Sequence, residues 1–380
     1  MKRIEGRKCK IVVAMSGGVD SSTVAGLLKE QGHDVIGITM KLYDNSELEA
    51  NTPEVEFTGT CCSLDDVSDA RRVADHIGIP FYVGNYEKAF MGAVVNSFVE
   101  AYASGRTPNP CVKCNDVVKF RTLLAKARAL GADYLATGHY ARTESDTEGN
   151  VVLLEGRDVR KDQSYFLAGI PKKSLQRVIF PLGDMTKDEV RDEALRLGLP
   201  VASKPESQDI CFIPDNNYSG FLESKAPEKL RGPGPIIGVD GLSLGKHKGL
   251  HRYTVGQRKG LGIAAESPYY VVGINPKENT LKVGHRADAY SSGLWASGAK
   301  WLTDTPHPGT VVRARIRHND AGALAKVSPR DDGGVNVYFD EPVLAVTPGQ
   351  QLALYDGRRV LGAATIEGPL KPAGESAHGS

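Results

Sequence analysis

Apolar positions in the N-terminal half of the chain follow two alternating rhythms. Ile11 to Met15 is an unbroken apolar run that reads as a buried strand, and Ser22 to Glu30, just beyond a glycine turn, has helical spacing. The alternation continues with a strand at Val35 to Met40 and a helix over Asp65 to His76, whose apolar face is Val67, Ala70, Val73 and Ala74. A short strand at Phe81 to Val83 precedes helices over Lys88 to Tyr102 and Asp116 to Leu130, and Tyr134 to Thr137 is a further strand. Lys187 to Leu197 is the last long helical stretch. Strand and helix in regular turn predict an α/β fold class built on a doubly wound parallel sheet.

From about Gly232 the rhythm changes to short strand-like runs parted by Gly, Pro, Asn and Asp: 235–237, 269–274, 280–283, 311–316, 335–339 and 351–355. That is the pattern of small antiparallel barrels. The expected organisation is an α/β domain over 1–207, a small central β-rich domain over 208–282, an antiparallel β-barrel over 283–368 and a disordered polar tail over 369–380. No internal repeat is visible.

Between the first strand and the first helix the chain reads Ser16-Gly17-Gly18-Val19-Asp20-Ser21. A strand, a glycine turn and a helix N-terminus together form an anion site. Glycines let the backbone turn and expose its N–H groups, serines add hydroxyl donors, and the helix dipole favours negative charge. The expected guest is a phosphate group; the plainer reading is a turn whose serines only cap the helix. The Gly-x-x-x-x-Gly-Lys-[Ser/Thr] spacing of the common nucleotide loop is absent. Ligands of such sheets bind at the carboxyl ends of the strands, which brings Met40 and Gly138-His139 beside the loop, with adenine between them.

Composition narrows the class. The chain has 380 residues, 41% hydrophobic and 24% charged, as an ordinary soluble globular protein does. No apolar run approaches the roughly 18 residues that span a membrane. The basic segment Met1 to Lys8 leads straight into the first strand without an apolar stretch, so the expected location is cytoplasmic. A net charge of +1 makes no general case for nucleic acid, but the charge is uneven. Gly245 to Gly260 carries Lys246, Lys248, Arg252, Arg258, Lys259 and two histidines with no acid, which suits an RNA backbone or else a solvated strand edge. Arg313, Arg315 and Arg317 alternate along an expected strand, which sets three guanidinium groups on one face. The acidic loop Asn45 to Gly59 is expected to be disordered when free.

Six cysteines in such a chain are not expected to form structural disulfides. Cys9, Cys61 and Cys62 have nothing beside them that suggests chemistry. Cys111 and Cys114 stand in Thr107 to Asn115, where two prolines stiffen the approach to a helix expected to begin near Asn115 or Asp116. Dipoles at that helix start, and adjacent Lys113, are expected to make Cys114 thiolate available. The competing reading is half of a zinc knuckle, but no second Cys-x-x-Cys or His-x-x-x-His completes one. Cys211 stands where a polar segment turns apolar, and read alone it is a core thiol.

Several of these stretches resemble known families. Ser16 to Ser21 resembles the pyrophosphate loop, SGGxDS, of the N-type ATP pyrophosphatases, which implies cleavage between the α- and β-phosphates of ATP. TPNPxxxCN at Thr107 to Asn115 and SQDICF at Ser207 to Phe212 resemble the tRNA-specific 2-thiouridylases. So do ATGHY at Ala136 to Tyr140, DQSYFL at Asp162 to Leu167, YTVGQRKGLG at Tyr253 to Gly262 and VTPGQ at Val346 to Gln350, and the resemblance runs from about residue 10 to 366.

The resemblance implies a tRNA-uridine 2-sulfurtransferase that uses ATP and Mg²⁺, the metal held in part by Asp20. ATP adenylates the C2 oxygen of the wobble uridine in glutamate, lysine and glutamine tRNAs. A sulfur-relay protein loads Cys211 as a persulfide, and Cys114, the nucleophile, resolves the linkage to leave a Cys114–Cys211 disulfide beside 2-thiouridine, AMP and pyrophosphate. It implies ATP contacts at Ala14, Met15, Ser16, Gly17, Gly18, Val19, Asp20, Ser21, Met40 and Gly138. For tRNA it implies Asn109, Pro110, Cys111, His139, Asp162, Gln163, Ser164, Arg315, Ile316 and Gln350. The segment Ser203 to Cys211, polar and proline-containing, is expected to move when tRNA binds.

One position departs from the family. Many members have an aspartate where this chain has Cys111, and Cys111, Cys114 and Cys211 together offer three thiolates to a [4Fe–4S] cluster that would deliver hydrosulfide in place of the persulfide. Two other classes stand beside these routes. A small-molecule adenylating ligase with the same loop needs no reactive cysteine pair, and a silent RNA-binding protein turns over no ATP.

Overall fold

A computed structural model describes residues 6–43, 64–206, 210–213 and 216–370. The acidic loop 45–59, Cys61, Cys62 and the tail from Lys371 lie outside the described residues. The chain divides into two compact units, one of Met1–Val95, Pro110–Asn217 and Arg358–Val360, the other of Asn96–Asn109, Tyr218–Gly357 and Leu361–Ser380.

The first unit is the α/β part. Strands β1 (Lys10–Ala14), β2 (Asp34–Lys41), β3 (Phe81–Asn85), β4 (Tyr134–Ala136) and β7 (Val178–Ile179) form one sheet in the order β3-β2-β1-β4-β7. All its pairings are parallel: Ile11 lies opposite Val35 on one side and Tyr134 on the other. Strand order turns back between β1 and β4, which opens a crevice at their carboxyl ends. Ile11, Val12 and Val13 are fully buried because helices cover both faces, which is why β1 shows no polar alternation.

Helix α1 (Val19–Glu30) packs Val24, Ala25 and Leu28 into this core with Ala70, Val73 and Ala74 of α2 (Leu64–Ile77). Helix α3 (Glu87–Phe90) and a π-helical turn, Met91–Val95, follow, and α4 (Asn96–Ala103) passes into the second unit. The chain re-enters with α5 (Pro110–Lys113), a π-helical stretch Cys114–Leu123 and α6 (Leu124–Ala129). An antiparallel hairpin, β5 (Ala141–Ser145) and β6 (Val151–Glu155), then leads to α7 (Ser164–Leu167) and α8 (Lys172–Leu175). Helix α9 (Lys187–Arg196) starts on a capping box in which Glu189 N–H donates to Thr186 Oγ1 (3.3 Å) and Thr186 N–H to Glu189 Oε2 (2.7 Å).

Two expectations need correcting. Helix α1 begins at Val19, with Gly18 as N-cap and no side-chain cap, so Ser21 and Ser22 lie inside its first turn. The helix carrying Cys114 begins at Pro110, the residue type favoured at a helix start, so Cys114 sits one turn inside it. The dipole argument for Cys114 loses its geometric basis, since it holds only for the first turn.

The second unit holds helix α10 (Tyr218–Lys225) and a mixed sheet of β8 (Gly234–Gly238), β9 (Ser243–His247), β10 (Tyr270–Asn275) and β11 (Thr280–Gly284). Its β11–β8 pairing is parallel, where the turn pattern had suggested antiparallel neighbours throughout. Six further strands are β12 (Tyr290–Trp301), β13 (Thr310–Arg315), β14 (Ala323–Pro329), β15 (Val335–Leu344), β16 (Gln351–Asp356) and β17 (Arg359–Pro369). They run β12-β15-β14-β13-β16-β17, and antiparallel pairing of β12 with β17 closes the barrel. Closure removes the sheet edges, and Leu294, Val312, Val327, Val337, Leu354 and Ile366 fill the interior. No described helix is long and apolar enough to cross a membrane.

Candidate active site

The glycine loop occupies the crevice between β1 and β4, and local bonds fix its shape. Gly17 has φ +73, and a Cβ there would lie 2.3 Å from the Asp66 carbonyl oxygen, so only glycine fits. Gly138 faces the first turn of α1 from the opposite strand, where a Cβ would meet Ser21 N at 2.9 Å. Ser21 Oγ accepts from Ser16 N–H (3.0 Å), and Ser22 Oγ donates to Gly18 O (2.8 Å). These two serines are buried and hold the loop; Ser16, exposed, is the hydroxyl that faces the crevice. Thr39 Oγ1 donates to Met15 O (2.9 Å), tying β2 to the loop.

Three cavities follow one another along the crevice, with Ser16 and Gln163 common to all. The middle one, about 200 Å³, is lined by Ala14, Met15, Met40, Thr137, Gly138, His139 and Lys119. Its size and lining suit a nucleoside. His139 Nδ1 lies 2.7 Å from Thr137 Oγ1, and its ring sits 6.0 Å from those of Phe120 and Phe180. Burial, with Lys119 close by, holds its pKa well below the ordinary histidine value, so it is neutral at pH 7.

The second cavity, about 220 Å³, lies beside the glycine loop and gathers charged side chains around Asp20. Asp20 Oδ1 accepts from Tyr140 Oη (2.9 Å) and Lys187 Nζ (2.7 Å). Lys187 reaches it because the capping box sets Lys187 at the first position of α9, where its own N–H donates to Asp158 Oδ2 (3.2 Å). Lys187 also pairs with Glu206 (2.7 Å), which pairs with Lys161 (2.6 Å). Lys204 donates to Asp66 Oδ1 (2.7 Å), Asp69 Oδ2 (2.6 Å) and Gly17 O (3.3 Å). Burial and the Asp20 carboxylate push the Tyr140 hydroxyl far up, so it remains a proton donor. Asp20 Oδ2 has no protein partner among the described residues, which suits one contact to a hard cation at phosphate.

The third cavity, about 270 Å³, brings Cys111, Cys114 and Cys211 to one chamber with Phe90, Val94, Phe166 and Phe212. Cys111 is exposed, Cys114 buried and Cys211 half-buried. Phe90 and Phe212 meet edge to face at 5.6 Å, and Asn115 Nδ2 donates to Phe166 O (3.2 Å) while its buried Oδ1 has no partner among the described residues. A mainly apolar chamber that also carries Ser16, Asn115, Lys119, His139 and Gln163 suits an unstacked base. Among the described residues no three His, Cys, Asp or Glu side chains are gathered to hold a single metal ion.

Of the remaining expected contacts, Gln163 is the member of its motif that faces the site, its Oε1 accepting from Tyr140 N–H (3.0 Å). Asp162 and Ser164 are buried and bonded to each other (2.9 Å), shaping the turn that presents Gln163. Pro110 starts α5 at the chamber wall.

Asn109, Arg315, Ile316 and Gln350 belong to the second unit. There Gln350 Nε2 donates to Thr107 O (2.9 Å), Thr107 N–H to Pro348 O (2.9 Å), and Thr107 Oγ1 to Thr254 Oγ1 (3.2 Å). Three stretches far apart in sequence, 107–109, 253–257 and 346–350, therefore meet at one place. Arg315 is only 7% exposed, its guanidinium donating to His318 O (2.5 Å), and Ile316 is in the barrel core. The three-arginine face does not form: Arg317 lies beyond β13 and bonds Leu344 O. In the basic stretch His247 and His251 are buried and bonded internally, while Lys246, Lys248, Arg258 and Lys259 are exposed.

A parallel sheet with a glycine anion loop at its switch point, opening onto a cysteine chamber, defines an ATP-using enzyme of the pyrophosphate-loop class. Family models agree along the chain: a tRNA methyl transferase HUP domain matches residues 9–215, a tRNA methyl transferase PRC-barrel domain 219–285 and an aminomethyltransferase β-barrel domain 291–366. The tRNA-specific 2-thiouridylase MnmA of Geobacter metallireducens is 50% identical over 96% of this chain and 99% of its own. That of Geotalea uraniireducens is 49% identical over 95% and 96%, and that of Magnetococcus marinus 49% over 94% and 98%. The chain belongs to the tRNA-specific 2-thiouridylase family.

Proposed function

We propose that the protein replaces the C2 oxygen of a tRNA wobble uridine with sulfur, at the cost of one ATP cleaved to AMP and pyrophosphate. The observation that carries the mechanism is the shared wall: Met15, Ser16, Met40, Lys119, His139 and Gln163 line both the nucleoside cavity and the cysteine chamber. A base in the chamber thus lies next to the α-phosphate of a nucleotide in the crevice. The C2 oxygen attacks that phosphate and pyrophosphate leaves, which turns a stable carbonyl into an adenylate with a good leaving group.

A persulfide on Cys211 supplies the sulfur. Its terminal sulfur bonds to C2 and AMP departs with the oxygen. The Cys114 thiolate then attacks the inner sulfur of Cys211, a Cys114–Cys211 disulfide forms, and the electron pair of the broken S–S bond stays on the 2-thiouridine sulfur. The ammonium of Lys119, on the shared wall, faces the negative charge that develops on AMP. Mg²⁺, held by Asp20 and the phosphates, would neutralise charge on the leaving pyrophosphate. A sulfur-relay protein and the glutamate, lysine and glutamine tRNAs are the partners in this reading. Exposed Lys246, Lys248, Arg258 and Lys259 provide phosphate contacts.

The test is nucleoside mass spectrometry of unmodified tRNA incubated with protein, ATP, Mg²⁺ and a sulfur donor. Wild type makes 2-thiouridine, while Cys114→Ser and Cys211→Ser make none yet still release pyrophosphate. Thiolation by either variant would sink the two-cysteine mechanism.

A further inference from the structure

The cavity beside the glycine loop is lined by Asp20, Asp66 and Glu206 with Lys161 and Lys204, and Lys187 pairs with Asp20 and Glu206, so each of these ammonium groups already holds a carboxylate before any ligand arrives. That is a poor reception for a polyphosphate, because like charges at contact distance repel strongly where water is scarce. Two of the three carboxylates are fixed: Asp20 is on α1 and Asp66 on α2. Glu206 is not. It lies on irregular chain beyond α9, and its two oxygens are divided between two lysines, Oε2 with Lys161 (2.6 Å) and Oε1 with Lys187 (2.7 Å). Lys187 is 7% exposed in its side chain and Lys161 38%, so one ammonium is buried and the other opens to the cavity. Two ammonium groups gripping one carboxylate beside a helix N-terminus reproduce the way a phosphate is held.

We infer that Glu206 is a resident anion in the phosphate site, holding Lys161 and Lys187 in register until the phosphates of ATP displace it. The inference rests on reading this crevice as an ATP site. The exchange is balanced, since Lys161 passes from carboxylate to phosphate oxygens, Lys187 keeps its bond to Asp20 (2.7 Å), and the Glu206 carboxylate passes to water. Burial disfavours the Glu206 charge, but the two lysines outweigh it and hold its pKa below the ordinary carboxylate value, so the anion is present at neutral pH. Glu206 precedes Cys211 by five residues, and Lys204, on the same stretch, is bonded to the glycine loop. Nucleotide binding therefore removes one of the two charged anchors that the described residues give the chain leading to the sulfur-carrying cysteine.

Calorimetric titration with inorganic pyrophosphate and with α,β-methylene ATP, on wild type and Glu206→Gln, tests this. Removing the competing anion should tighten both ligands about tenfold. Unchanged or weaker binding by the variant, with wild type binding normally, overturns the inference alone. Should the variant fold poorly, carbodiimide labelling of Glu206 in wild type, mapped by peptide mass spectrometry, gives the answer. Saturating pyrophosphate should raise labelling several-fold, and unchanged or reduced labelling refutes displacement. A wild type that binds neither ligand removes the ATP reading and this inference with it.

Discussion

Replacing Gly17 by alanine should disable the site while leaving the second unit folded. Gly17 has φ +73, a region that costs an L-residue roughly 1–2 kcal/mol. The larger cost is steric: the new Cβ would lie 2.3 Å from the Asp66 carbonyl oxygen, whereas Cβ contacts under 3.0 Å essentially do not occur. Relief requires the loop and the start of α2 to part by most of an ångström, and neither partner is a flexible side-chain end. Misplacement of that size at reacting groups costs on the order of 10²-fold in rate. Gly18 is the internal control, with φ −91 and nothing nearer to its Cβ than Ser16 Oγ at 3.6 Å.

We expect Gly17→Ala to lower tRNA-dependent pyrophosphate release about 100-fold and to destabilise the first unit by about 2–4 kcal/mol, while Gly18→Ala costs under about 1 kcal/mol. Both tryptophans, Trp295 and Trp301, are in the second unit, so their fluorescence reports the barrel alone. Hydrogen exchange over β1 and α1 reports the first unit. Gly17→Ala should shift the exchange and leave the tryptophan transition in place. If instead it matches Gly18→Ala in exchange and keeps wild-type pyrophosphate release, the steric reasoning is wrong.

Other consequences are equally open to measurement. His139 has a folded-state pKa well below 6.5, so as pH falls through that value the unfolded chain takes up a proton that the folded one refuses. Stability should drop with acid by up to about 1.4 kcal/mol per pH unit from this residue, and His139→Gln should flatten that slope in urea titrations between pH 7.5 and 5. In the second unit Arg106 clasps Glu367 at 2.5 and 3.0 Å, with Ser297 donating to the same carboxylate. Burial works against the Glu367 charge, but Arg106 and Ser297 outweigh it and keep its pKa low, so this stabilisation is present above the normal carboxylate range and lost as pH falls through the folded value. Arg106→Met should destabilise the barrel by about 1–3 kcal/mol, read by tryptophan fluorescence, and an unchanged midpoint would show the pair to be idle.

Much of the first unit was legible because its signals are local. The runs at Ile11 to Met15 and Val35 to Met40 became β1 and β2 nearly to the residue, and of the expected α2 face Ala70, Val73 and Ala74 are buried while Val67 is half-buried. The hairpin β5–β6 was missed although its turn was readable: Asp146 Oδ1 accepts from Glu148 and Asn150 N–H (3.1 and 2.8 Å), and Gly149 has φ +82. Strand β12 was missed for a sound reason. Tyr290 to Trp301 is rich in serine and glycine, and it becomes a strand because β15 and β17 pair with it on either side.

By itself the sequence determined the α/β alternation and the anion loop with its glycine turn, since each depends on the conformational preferences of a few consecutive residues; Cys211 read alone is a core thiol, and it was the family resemblance that set it beside Cys114. Tertiary structure alone decided the rest of the site. Lys161, Lys187, Lys204 and Glu206 come from segments with no common spacing, and they converge on Asp20 and Asp66 only because α1, α2 and α9 pack around one sheet. Packing likewise turned Arg315 inward and carried Cys114 a full turn into its helix. Charge pairing depends on distance in space, and a linear sequence records that distance only after the core has closed.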